Sequence, residues 1–134
     1  MGGCDQWSSN TITTTAPQDI NDDGVITHCA SFDTLFTLSS NSVVSDNPKA
    51  SRITISGIVP PARLRSCTVV MPNNNVLMIG GEDPLKGNIG LADAWILDTQ
   101  SWTWEQQDIR GLPADGIMGH SCLLAHYDQI LVVG

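Results

Sequence analysis

A near-copy of one segment, set about 54 residues further along, constrains this chain more than any other feature. The stretch Arg65-Ser66-Cys67-Thr68-Val69-Val70, followed by Asn75-Val76-Leu77-Met78-Ile79-Gly80-Gly81, aligns with His120-Ser121-Cys122-Leu123-Leu124-Ala125 and Gln129-Ile130-Leu131-Val132-Val133-Gly134. The offset is 54 residues from Gly80 to Gly134 and 55 from Cys67 to Cys122. A period of this size marks a supersecondary unit that cannot bury its apolar faces alone and becomes stable by packing against its neighbours. A glycine and then a proline precede each copy, in Gly57-Ile58-Val59-Pro60-Pro61 and in Gly111-Leu112-Pro113.

Within one period the residues read as four short strands, at about 65 to 71, 75 to 80, 92 to 98 and 102 to 107. Each is rich in β-formers and bounded by turn residues. Asn73-Asn74 and Tyr127-Asp128 hold equivalent positions between apolar strands, where Asn and Asp tolerate positive φ, so both are expected to be hairpin turns. The first part of the chain fits the same template with a long insertion. Gly2-Gly3 matches Gly80-Gly81, the run 33 to 38 matches 93 to 98, and the run 52 to 57 matches the strand before Gly111.

These residues resemble the kelch repeat: an apolar strand ending in Gly-Gly, a variable loop, an aromatic third strand closed by Asp, then Trp, Pro and a Gly-His-Ser segment. Here the motif is carried by Gly80, Gly81, Trp95, Asp98, Trp104, Pro113, Gly119, His120 and Ser121. The resemblance implies an all-β fold, a kelch-type β-propeller with four-stranded antiparallel blades around a channel and the first strand of each blade innermost. On that template 57 to 107 is a complete blade, 1 to 56 is a partial blade with the long loop 4 to 31, and 108 to 134 is the first half of the next. The chain is thus expected to be a fragment of about two repeats. Trp95 and Trp104 are expected between blades, where aromatics supply much of the buried area. Cys67 and Cys122, at matching innermost sites, are expected to be small buried packing residues.

Composition narrows the functional classes. Fourteen acidic residues against six basic ones give a net charge of −8, and no basic stripe is present to neutralise phosphates, so nucleic acid is not an expected partner. No apolar run approaches the roughly 20 residues of a membrane span, and the start lacks the basic and apolar regions of a secretory signal. Gly80-Gly81 is not followed by the lysine and helix of a phosphate loop. Adjacent strand residues point to opposite faces, so His120 and Ser121 do not form a base and nucleophile pair. No catalytic residue and no cofactor motif is read from the sequence.

The insertion between residues 4 and 31 is the largest departure from the repeat. Cys4 and Cys29 lie near its ends, and a disulfide between them would remove about 3–4 kcal/mol of loop entropy and point to an oxidising compartment. Free thiols are the alternative. Asp19, Asn21 and Asp23, with Gly24, resemble the opening of a calcium loop. Ala30 stands where the bidentate carboxylate belongs, so the stretch reads as a turn and no metal site is assigned.

Loops between second and third strands, and from the fourth strand to the next first strand, leave one end of an antiparallel blade. That end is expected to display Arg63, Glu82, Asp83, Lys86, Arg110 and Asp115 as a candidate face for a protein partner. Kelch-like propellers share a scaffold and differ in partner. A galactose-oxidase-like copper oxidase is the enzymatic alternative, but it requires tyrosine ligands and the chain has one tyrosine, Tyr127. The ectodomain of a membrane-tethered surface protein is a third reading. It accords with an extracellular setting, although no N-x-[ST] glycosylation sequon is present.

Overall fold

Along Val76 to Ile79 and Ala94 to Leu97 successive apolar side chains alternate between two faces of a sheet, and both faces are buried. The computed structural model describes residues 32–39, 48–86, 89–126 and 128–134. Ten strands are found among them and no helix. They are β1 (Thr34–Leu38), β2 (Ala50–Thr54), β3 (Cys67–Val70), β4 (Val76–Ile79), β5 (Glu82–Asp83), β6 (Ile89–Gly90), β7 (Ala94–Asp98), β8 (Thr103–Gln107), β9 (Ser121–Leu124) and β10 (Ile130–Val133).

β3, β4, β7 and β8 form one four-stranded antiparallel sheet in that order, and β1–β2, β5–β6 and β9–β10 are two-stranded antiparallel ribbons. The expectation of an all-β chain with one four-stranded antiparallel unit is met, with strand limits within two residues of those read from the sequence. In the large sheet Cys67, Ile79, Ala94 and Gln107 lie in one row, and Val70, Val76, Leu97 and Trp104 in another.

Both faces of this sheet are covered, each by a different hairpin. On one face Met78, Trp95, Leu97 and Trp104 pack with Phe32, Leu35 and Ile55 from the β1–β2 region. The Phe32 and Trp104 rings meet edge to face at 5.9 Å, and the Trp104 indole N–H donates to the Phe32 carbonyl at 3.3 Å. On the other face Cys67, Val69, Leu77, Ile79 and Ala94 pack with Cys122, Leu124 and Ile130 of β9–β10. The strand period of two explains this division, since neighbours such as Met78 and Ile79 must enter opposite layers. Coverage is offset: β1–β2 reaches Trp104 on β8, whereas β9–β10 reaches Cys67 and Val69 on β3.

The turns have local causes. Between β3 and β4, Asn74 adopts φ +67°, and the Asn73 side chain accepts the Asn75 N–H at 3.1 Å. Between β7 and β8, the Asp98 carboxylate accepts the N–H groups of Gln100 at 2.7 Å and Ser101 at 2.9 Å. Those bonds, the Ser101 one foremost, hold its carboxyl below the usual range. Trp102, expected in the strand beside Trp104, instead occupies this turn at φ +56° and packs against the Trp104 layer from there. An Asn74→Val variant should lose about 1–2 kcal/mol, because a β-branched residue resists the left-handed region, while Asn74→Gly should stay within about 0.5 kcal/mol of the parent. Urea midpoints at constant slope would measure both.

Candidate functional site

At one end of the large sheet β3 and β7 begin and β4 and β8 finish, so the segments 57 to 66, 80 to 93 and 108 to 120 gather there. Backbone hydrogen bonds join them. Leu64 and Glu82 exchange N–H···O bonds at 3.1 and 2.8 Å, Gly81 N–H donates to Ile117 O at 2.8 Å, and Gly119 N–H donates to Arg65 O at 3.0 Å. Leu91 N–H donates to Gly81 O at 2.8 Å, and Ile117 N–H to Leu91 O at 3.1 Å. Gly80 and Gly81 end β4 with φ of +56° and +107°. Gly116 is required by approach as well as by its φ of +74°, since a Cβ there would lie 2.2 Å from the Gly90 carbonyl carbon. These bonds pair backbone groups of all three segments with one another.

Three residues expected on the exposed face lie inside it. Arg63 is 2% exposed and Glu82 2%, and Asp83 is buried as well. The Arg63 guanidinium grips the Asp93 carboxylate with two N–H groups, one of them at 2.9 Å, and also donates to Gly80 O at 2.9 Å and Pro61 O at 3.1 Å. The Trp95 indole N–H donates to the same carboxylate at 2.8 Å. Burial by itself would raise the Asp93 pKa, but the Arg63 and Trp95 hydrogen bonds and the guanidinium charge outweigh it and hold the group below the usual aspartate range. Glu82 pairs with Arg65 at 3.3 Å and Asp83 with Lys86 at 3.2 Å. Arg63 therefore ties the 57 to 66 segment to the residue that enters β7 and is buried, which corrects its placement in the sequence reading.

Lys86, Arg110 and Asp115 are exposed as expected. Sequence reasoning missed the apolar residues beside them: Ile58 is 77% exposed, Leu85 61%, Ile89 52% and Met118 43%. A signal existed, because Ile58, Leu85 and Met118 stand inside Gly/Pro-rich connections where no strand needs a large apolar side chain. Between Leu112, Ile117, Met118, His120 and Val132 lies a half-open cavity of about 500 Å³.

Behind that cavity β3 and β9 are neighbours, and Cys67 and Cys122 are joined by a disulfide with Cα atoms 5.6 Å apart. Both lie in the apolar layer between the sheets, as a packing role required. The sequence reading gave them a packing role only, and the structure adds a cross-link between two sheets. His120 is 9% exposed, and its Nε2 lies 3.2 Å from Ile79 O. Trp95 and Trp104 are buried, while Gly119 and Ser121 flank His120 at the surface. Cys4, Cys29, Asp19, Asn21 and Asp23 lie outside the described residues. Among the described residues no helix is long and apolar enough to cross a membrane.

Comparison with known proteins gives no match, either to a family model or to a curated protein sequence.

Proposed function

We propose that this chain is a segment of a kelch-type propeller that binds a partner protein through the loop end of its sheets. The carrying observation is the set of exposed apolar side chains, Ile58, Leu85, Ile89 and Met118, on three connections that backbone hydrogen bonds tie together at Leu64, Glu82, Leu91 and Ile117. Apolar anchors rimmed by charge are the composition of a protein-binding patch, and ordering such loops in advance lowers the entropic cost of association. Lys86, Arg110 and Asp115 supply the rim.

The propeller part is supported by the offset of the flanking hairpins. β1–β2 covers the β8 side of the central sheet and β9–β10 covers the β3 side, as the outer half of a preceding blade and the inner half of a following one would. Their far faces carry exposed apolar side chains, Phe36 and Leu38 beside Arg52 and Thr34 on one and Leu123, Leu131 and Val133 on the other. Further sheets leaning on those faces would bury them. The disulfide is compatible with an extracellular or membrane-tethered setting.

Proximity labelling on the full-length parent protein in its native cells tests the binding reading. Leu85→Asp combined with Met118→Asp should reduce capture of the principal partner by roughly thirtyfold or more, the size expected for central apolar anchors. Asn73→Asp, at the opposite end of the sheet, should leave it unchanged. Equal capture by all three proteins would refute the assignment of this face.

A further inference from the structure

Partner binding at the loop end makes no use of the group formed by buried Cys67 and His120 and half-buried Cys122. Each offers one ligand atom, and these atoms lie within 4.8 Å of one another. A tetrahedral zinc ion, with bonds of about 2.3 Å to sulfur and 2.0–2.1 Å to nitrogen, needs adjacent ligand atoms about 3.3–3.8 Å apart. The 4.8 Å limit of the cluster accommodates that spacing once reduction frees the two sulfur atoms to part.

The histidine is arranged as a metal ligand would be. A carbonyl oxygen only accepts, so the bond at 3.2 Å to Ile79 O places the ring proton on Nε2. The neutral ring then carries its lone pair on Nδ1. Nδ1 is buried and has no hydrogen-bond partner among the described residues. An imidazole whose second nitrogen is fixed by a backbone carbonyl is the usual outer-shell arrangement of a metal-bound histidine. Gly80 lets this ring sit against the end of β4, since a Cβ there would come within 3.0 Å of its Cε1. His120 also lines the cavity that Ile117 and Val132 border, so one member of the group reaches an open space.

We propose that reduction of the Cys67–Cys122 bond creates a zinc site of two thiolates and the His120 Nδ1, so that the seam between β3 and β9 is closed by either a disulfide or a metal ion. A small-molecule or protein dithiol supplies the two electrons and two protons: its own sulfur atoms become a disulfide while Cys67 and Cys122 become thiols. Zinc then displaces those two protons to solvent. Three protein ligands leave a fourth position for water or a small anionic ligand. Soft sulfur donors select zinc or a comparable thiophilic ion over calcium or magnesium. None of this depends on the propeller reading.

The test uses the 134-residue chain carrying Cys4→Ser and Cys29→Ser, so that no other thiol contributes. After reduction with a dithiol and anaerobic desalting, cobalt(II) should bind one ion per chain with thiolate-to-cobalt charge transfer, and zinc should displace it. The oxidised chain should bind at least about 100-fold more weakly, His120→Ala at least about tenfold more weakly, and His120→Cys should retain a tight site with stronger charge transfer. Should the reduced chain lose its β-sheet circular dichroism, zinc is expected to restore it. The proposal is overturned if the reduced chain binds no cobalt, if zinc fails to restore a lost fold, or if affinity is the same in the oxidised chain or in His120→Ala.

Discussion

Asp93→Ala should lower the unfolding free energy by about 3–5 kcal/mol, because it strands the buried Arg63 guanidinium without its counter-charge. Arg63 keeps its bonds to Gly80 O and Pro61 O, but dipoles do not replace a carboxylate bound by two N–H groups. The converse change, Arg63→Met, should cost less. Asp93 retains the Trp95 indole N–H and its side chain is 21% exposed, so water can solvate the charge left behind. The double variant should therefore recover part of the loss of Asp93→Ala. Urea unfolding of the four proteins measures this coupling, and additive losses would show that the two side chains act independently. The pH dependence follows from the direction of the Asp93 shift. Its folded pKa lies below the ordinary value of 3.8, so the stabilisation is complete above that value and is lost as pH falls through the lower folded pKa. Asp93→Ala should lose this part of the acid sensitivity.

The same ion pair marks where sequence reasoning stopped. Strand positions were legible because Val76 to Ile79 and Ala94 to Leu97 are short apolar runs rich in β-formers and bounded by turn residues, and a sheet covered on both faces takes up side chains from both sides of such runs. The β3–β4 turn was legible because Asn73-Asn74 sits between two such runs. By contrast, Arg63 follows Pro60-Pro61-Ala62, a context with no periodicity, and a charged residue in a connection is exposed by default. Only the fold brings Asp93, thirty residues on, beneath it. Likewise β5 and β6 are two-residue ribbons whose pairing comes from the neighbouring Leu64 and Leu91 connections, not from their own propensity.

The candidate face was legible in its location and not in its chemistry. Strand direction alone fixes which connections leave the same end of an antiparallel sheet, and the connections 57 to 64, 82 to 91 and 108 to 119 do meet there. Which side chains they expose depends on loop packing. Glu82 turns inward because its backbone pairs with Leu64 and with Gly90, whereas Leu85 is carried outward on the turn that follows. For the cysteines, the repeat placed Cys67 and Cys122 at equivalent sites, and equivalence on adjacent sheets is what brings them together. Whether two facing thiols bond depends on a Cα separation that no spacing in the sequence reports.

That cross-link gives the second large effect. Reducing the Cys67–Cys122 bond in the folded chain should lower stability by about 4 kcal/mol, the loop-entropy value for the 55-residue separation it closes. The loss falls on one seam. β3 and β9 belong to different sheets and share no backbone ladder, so the disulfide is the covalent tie between them, and the remaining contacts are the apolar layer around Val69, Leu77 and Ile130 and the hydrogen bonds from Gly119 N–H to Arg65 O and from His120 to Ile79 O at its end. Hydrogen exchange should accordingly accelerate first in β9 and β10, while the Leu77 and Ile96 amides in the middle of the central sheet stay protected longest. Zinc at about 100 times its dissociation constant would return about 2.7 kcal/mol through binding to the folded state alone. A reduced chain as stable as the oxidised one would mean that the apolar layer holds the seam unaided, and that the two sulfur atoms sit together without contributing to the fold.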